Sequence, residues 1–351
     1  MMSPENKKFD PAKLIAFSAR ALQKVGVPEE DALVTARILV ATDLMGIDSH
    51  GVAHLANFYI TRINNDEINV KPNMKLTSNS SSTATLDADG GLGFVAGYKA
   101  MNEAMDRAEK TGSGFVSVSD STHFGAASAY STMALERNMI GIAMTQGGKA
   151  MIPPGASERG AGLNVMSFAI PTSSEAPFIL DMCTAVVAYG KIEIAKREGK
   201  DLPEGWAVSA DGKPATNPDD VAGVLPLGGT PPLGAYKGFG LTVLVDILCS
   251  TLSGALTAPE MTQGKRGQSN HFFGAWKIDG FMPVDEFKKR MDSMAAAYHD
   301  LKTVPGVDRV SLPGEMEAKI QKERSQGIPL HPSVAESLVR LAKDLEIEYD
   351  L

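Results

Sequence analysis

In the stretch GIDSHGVAHLANFY, residues 46–59, His50 and His54 stand four positions apart and Ser49 precedes the first of them. Such a pair can share a metal ion, pack into a core, or exchange protons near neutral pH. If Ser49 starts a helix, a turn of ~100° per residue gathers Val52, Leu55, Tyr59 and Ile63 into one stripe and leaves both histidines near the opposite side. They are then expected to face solvent or a second contact surface. No glutamate lies between them in the HExxH arrangement and no third ligand is nearby, which weakens the zinc reading. A histidine in a helix's first turn sits in positive potential, which favours its neutral form and suits acid/base work.

His123, in VSDSTHFGAASAY, follows a β-rich run directly and precedes a helical pattern. Open α/β sheets place ligand-contacting loops at such points, although a bond from the ring to a loop carbonyl would explain it equally well. His271, His299 and His331 lack any such context and read as structural or exposed. Asp181, closing the apolar run PFILDM, is either a site carboxylate or the cap of the next helix. Lys237, in a Gly-rich loop entering a helix, occupies a dipole position that calls for a compensating anion.

The elements that must position these groups follow from periodicity and turn chemistry. Helical patterns cover residues 10–25 and 28–45, and a third helix is expected from Ser49. From residue 82 strand and helix alternate: TATLDA, a helix over 97–110, GFVSVSD at 114–120, a helix over 125–137, then MIGIAMT, VMSFAIPT and APFILDM as strands. A helix runs through AVVAYGKIEIAKREG, WAVSADGKPAT suggests a hairpin about Asp211-Gly212, and 238–253 reads as a buried helix. The chain ends with a strand candidate at 307–312 and helices at 315–325 and 332–346. Gly91, Gly93 and Gly97 lie between a strand and a helix, near the dinucleotide-binding fingerprint, but three residues precede the third glycine where the fingerprint has two. Steric packing is the better reading of these glycines.

Composition limits the function classes. The 351 residues are 43% hydrophobic and 22% charged, as in ordinary globular proteins. A net charge of -8 without a Lys/Arg block argues against a nucleic-acid partner. Cys183 and Cys249 are the two cysteines, too few for a disulfide framework. MMSPENKKFD holds no apolar secretory segment, and the apolar run GFGLTVLVDILCSTLSGAL is interrupted by Asp246, so a cytoplasmic protein with no membrane partner is expected.

Eight motifs occur in one order: SHGV at 49–52, HFG at 123–125, GLNVMSFAIP at 162–171, LDMCT at 180–184, GKI at 190–192, PEGW at 203–206, YKGFGL at 236–241 and LPGE at 312–315. Together they resemble the malate/L-lactate dehydrogenase family, which also holds ureidoglycolate, sulfolactate and diketogulonate enzymes and a cyclic imino-acid reductase. The resemblance implies an α/β fold that is not Rossmann, with a large mainly antiparallel sheet. A cofactor-binding domain over 76–314 would sit beside a helical region formed by 1–75 and 315–351. It implies hydride transfer between NAD or NADP and a small 2-hydroxy or 2-oxo acid, in a homodimer. By matching position, His50 with Ser49, or His123, is the acid/base group, with Asp181 close to the site. Asp181, Met182, Cys183 and Thr184, Lys237 with Gly238, and Pro313, Gly314 and Glu315 match cofactor-contacting stretches.

Three departures bear on substrate choice. His54 stands where many members have an arginine suited to a substrate carboxylate. Leu163 and Val165 replace threonine and proline in a GTNP-like segment. Gly147 and Gly148 stand where some relatives have polar side chains. Reduction of a cyclic imino acid on the same fold is an alternative. A metal-dependent hydrolase or lyase using His50, His54 and Asp48 or Asp181 is another, from a different class.

Overall fold

The computed structural model describes residues 7–78, 80–261 and 269–351. Its strands are β1 (Lys8–Phe9), β2 (Lys75–Thr77), β3 (Thr83–Asp87), β4 (Ser113–Ser121), β5 (Met139–Thr145), β6 (Val165–Ile170), β7 (Phe178–Cys183), β8 (Ala207–Val208), β9 (Gly223–Val224), β10 (Ser269–Lys277) and β11 (Ile328–Pro329). The α-helices are α1 (Pro11–Lys24), α2 (Glu29–Leu44), α3 (Thr61–Asn64), α4 (Gly93–Thr111), α5 (Ser128–Ser131), α6 (Tyr189–Glu198), α7 (Ala235–Cys249), α8 (Val284–His299), α9 (Glu315–Arg324) and α10 (Pro332–Asp344).

Seven strands form one sheet in the order β2-β3-β4-β10-β5-β6-β7. Every neighbouring pair is antiparallel except β3 and β4. A parallel pair needs a crossover, and α4 supplies it. The glycine cluster that suggested a nucleotide fingerprint lies at the start of this crossover. There a Cβ on Gly93 would come within 2.1 Å of the Thr122 carbonyl oxygen, so the missing side chain lets α4 start against the loop carrying His123.

The central strand β10 is absent from the periodicity reading. All but its ends are buried, so the apolar alternation that marks a half-exposed strand is missing. Conversely, the strand expected at 307–312 is an irregular segment, with Val307 exposed. Helix α8 was also not anticipated; Ala295 is its one buried residue. The Asp211-Gly212 turn forms, with Gly212 N–H donating to the Ser209 carbonyl, but β8 takes β9 as its ladder partner.

Helices from both chain ends pack together. Asp10 caps α1 by accepting the Lys13 amide at 3.0 Å, and Leu14, Phe17, Ala21 and Leu22 form its buried stripe. Phe17 meets Tyr349 edge-on at 5.8 Å, and β1 pairs with β11, so the first and last described segments share one core. That core runs without a break into α4 and the sheet.

Helix α7, expected to be buried, is covered on one side only. Gly238, Thr242, Val245 and Cys249 face inward, whereas Tyr236, Leu244 and Ile247 are exposed. With the turn that follows, the helix is long and apolar enough by length and composition to cross a membrane, but its inner face packs on the sheet strands β4, β5 and β10.

Candidate active site

The helix expected from Ser49 starts three residues later and changes pitch. Val52–His54 forms a 3-10 turn, Leu55–Ile60 a π-helical turn, and only Thr61–Asn64 is α-helical. Val52, Leu55, Tyr59 and Ile63 are buried, as the stripe predicted. The histidines on the other side meet a second surface, the loop between β4 and α5. His50 stacks on His123 at 5.6 Å between ring centroids and lies 5.7 Å from His54, which is 6.1 Å from His123. Widened π turns are rare and frequent at functional sites.

The three rings share one enclosure with Phe58 and Tyr59. Phe58 stacks on His54 at 5.1 Å and meets His123 edge-on at 5.3 Å. The Tyr59 hydroxyl lies 2.6 Å from His123 Nδ1, and the Gly125 amide donates to the same nitrogen at 3.3 Å. Ser49 Oγ is 2.9 Å from His50 Nδ1. His54 Nδ1 is buried with no hydrogen-bond partner among the described residues. Arg62 holds its guanidinium 4.2 Å over the Phe58 ring.

All three histidines are biased toward neutrality. Burial lowers the pKa of His50; burial and then the charge of His50 push that of His54 down to about 4. His123 is held well below its usual value by burial first, then by His50, His54, His271 and Arg62. His271, on β10, is fully buried: Thr145 Oγ1 lies 2.8 Å from Nδ1 and Ser121 Oγ 3.0 Å from Nε2, and its ring stacks on Phe124 at 4.5 Å.

Beneath the loop, Asp43 of α2 accepts the Val52 amide at 2.9 Å. Arg324 of α9 donates to the Asp43 carbonyl at 2.6 Å and pairs with Asp48. Asp48 is thereby committed to an ion pair with Arg324 at the surface.

Asp181 accepts the Ser128 amide at 2.8 Å, so it caps the helix that closes the His123 loop and not the one following it in sequence. Burial raises its pKa, partly offset by the Ser128 bonds. Next to it Met182 packs into the cluster under α7, and Cys183 Sγ faces the Ala185 carbonyl at 3.7 Å, with its thiol pKa raised by burial. Thr184 Oγ1 lies 2.7 Å from Thr242 Oγ1, while Asn164 accepts the Gly147 amide and donates to the Thr242 carbonyl at 2.7 Å. This buried knot ties β7 to α7. Gly238 serves the same joint: a Cβ there would strike the Leu227 backbone at 2.3 Å.

Lys237 stands exposed in the first turn of α7, with the Tyr236 ring 5.8 Å from its ammonium and no ion pair among the described residues. A free cation at the positive end of a helix fits an anionic dinucleotide. The Pro313 carbonyl accepts the Ile179 amide at 3.0 Å, and Gly314 fits tightly against Pro177 and Ile179, which seats this segment on β7. The Glu315 carboxylate pairs with His299 at 2.5 Å and Arg309 at 2.9 Å. Ser49, His50, His54 and His123 thus form one cluster, and the other expected residues form a second group along β7 and α7.

The model of the malate/L-lactate dehydrogenase family matches residues 9–339. Malate dehydrogenase of Pyrococcus abyssi is 40% identical over 343 residues, covering 96% of this chain and 94% of that one. L-sulfolactate dehydrogenase of Methanocaldococcus jannaschii is 35% identical over 356 residues, covering 100% and 98%. The crystal structure of malate dehydrogenase from Entamoeba histolytica superposes with a TM-score of 0.94 at 30% identity, covering 99% and 100%. The chain belongs to the malate/L-lactate dehydrogenase family. These relatives are dehydrogenases, and they favour neither the imino-acid reductase nor the metal-dependent hydrolase.

Proposed function

We propose that this protein is an NAD- or NADP-dependent dehydrogenase that interconverts a small 2-hydroxy acid and its 2-oxo acid. The observation that carries the reading is the cluster of His50, His54 and His123, enclosed by Phe58 and Tyr59, in a chain of this family. The bound nicotinamide supplies the hydride. The chain must deliver a proton to the oxygen that becomes an alkoxide, and hold that oxygen in line, an effect worth typically ~10² to 10⁴-fold. His50 and His123, stacked 5.6 Å apart, supply these two roles.

The substrate carboxylate is assigned to Arg62, whose guanidinium lies over Phe58 at the edge of the cluster. It stands two turns from His54, the position where an arginine was expected. A buried nitrogen without a partner costs ~1 to 3 kcal/mol, so His54 Nδ1 is read as a contact for a substrate oxygen. Lys237 is read as a partner of the cofactor's phosphates, and Asp181 as the residue that fixes the end of the His123 loop. The apolar outer face of α7, continued by Leu252 at 56% and Leu256 at 50% exposure, supports a homodimer.

The test is consumption of NADH and NADPH, each offered with pyruvate, oxaloacetate, 2-oxoglutarate, sulfopyruvate, diketogulonate and a cyclic imino acid. Turnover with a 2-oxo acid supports the reading. Binding of neither cofactor overturns it.

A further inference from the structure

We propose that Tyr59 is a positioning residue that locks His123 as the Nε2–H tautomer, so that His123 holds the substrate carbonyl oxygen and His50 delivers the proton. The inference deepens the dehydrogenase reading and rests on it for the identity of the substrate.

A backbone amide can only donate, and the Gly125 amide points at His123 Nδ1 from 3.3 Å. This long contact favours a bare Nδ1 without fixing it alone. Tyr59, fully buried, brings its hydroxyl to 2.6 Å from the same atom. Burial raises the Tyr59 pKa well above its usual value, against a smaller opposing effect of Arg62, so the hydroxyl keeps its proton and donates it. A neutral imidazole with two donors on Nδ1 carries its proton on Nε2.

Such a ring can donate a hydrogen bond through Nε2–H, but it is a poor proton donor. Losing that proton would leave an imidazolate beside a phenol that resists ionisation. Double protonation would turn Nδ1–H against the Gly125 amide and place a cation among His50, His54, His271 and Arg62. Burial holds His50 toward neutrality as well, but its Nδ1 partner does not dictate a tautomer. Its Nδ1 meets the exposed Ser49 hydroxyl, which can donate or accept, and the ring is partly open to water, the source of the next proton. In the reduction, hydride adds to the carbonyl carbon, the C=O π pair moves onto oxygen, and that oxygen takes a proton from the His50 imidazolium. His50 is left neutral and is reprotonated by water. His123 keeps its proton throughout.

The π turn explains how Tyr59 belongs to both the core stripe and the site. The wider pitch of Leu55–Ile60 seats Tyr59 under His123 while its ring packs on Phe94 at 4.9 Å.

The test is ¹⁵N NMR on the full-length protein with labelled histidine, the His123 signals being assigned by their loss in His123→Gln. The wild type is expected to show protonated Nε2 and bare Nδ1 at His123 without any substrate present. Tyr59→Phe is expected to mix the tautomers and lower kcat about 10- to 100-fold, with KM for the cofactor unchanged. Protonated Nδ1 in the wild type would overturn the proposal, whether or not Tyr59→Phe folds. So would Tyr59→Phe with the wild-type tautomer and kcat. Absence of turnover with every 2-oxo acid would instead count against the dehydrogenase reading, since the tautomer measurement needs no substrate.

Discussion

Asp43 accepts the amide of Val52 at 2.9 Å across nine residues of chain, and this buried carboxyl braces the loop that carries His50. Burial, opposed by the Val52 bond, raises its pKa from 3.8 to about 7. Between these values the folded chain binds a proton that the unfolded chain has released. The stabilising contribution is thus fully present below about pH 4 and is lost as pH rises through about 7. At ~1.4 kcal/mol per unit, the total is on the order of 4 kcal/mol. Asp43→Asn keeps an oxygen for Val52 and cannot ionise. Denaturant titrations at several pH values should show the variant gaining on the wild type between pH ~4 and ~8. A constant difference across that range would contradict the assignment.

The division of labour between the histidines predicts unequal effects of one substitution. Glutamine keeps an N–H donor near the Nε2 position but cannot deliver a proton. His50→Gln should lower kcat by ~10² to 10⁴-fold, and His123→Gln by clearly less. Steady-state kinetics over a pH series would check this. The reverse order would assign proton delivery to His123.

Arg62 is expected to bind the substrate carboxylate. Losing a charge-assisted hydrogen bond costs ~1.5 to 3 kcal/mol, so Arg62→Ala should raise KM for the 2-oxo acid roughly 10- to 100-fold, with kcat changed much less. Its ion pair to Glu67, at 3.5 Å between partly exposed side chains, contributes little to folding. An unchanged KM would move the carboxylate to another group.

Leu244 and Ile247, at 45% and 47% exposure, lie on the outer face of α7. If that face is the homodimer contact, changing both to glutamate should convert a dimer to a monomer in light scattering, because the charges cannot be desolvated unpaired. A mutant that stays dimeric would place the contact elsewhere.

The parts of the fold legible in the sequence are amphipathic helices and strands that read as a clear alternation or an unbroken apolar run. Helices α1, α2 and α10 carry buried stripes, and β3, β4, β5, β6 and β7 were found near their observed bounds. The antiparallel order came from the ordered motifs, since periodicity carries no information on strand direction. Strand β10 escaped because SNHFFGAWK is broken by Asn270, His271 and Gly274, whereas MIGIAMT of the equally buried β5 is an apolar run, and α7 read as fully buried because both its faces are apolar. In the site, His50, His54 and His123 were visible as residue types at loop and helix starts. Tyr59 was counted only as part of an apolar stripe, which hides a buried hydroxyl. Asp43 and Arg62 had no sequence signal, because their roles depend on contacts made across the fold.

The central claim is direct hydride transfer to C2 of a 2-oxo acid. The most direct test supplies reduced cofactor deuterated at the transferable C4 position, together with the 2-oxo acid that turns over fastest. The account predicts one deuterium at C2 of the 2-hydroxy acid product by NMR and mass spectrometry. Product without label at C2, formed by the same purified protein, would contradict it.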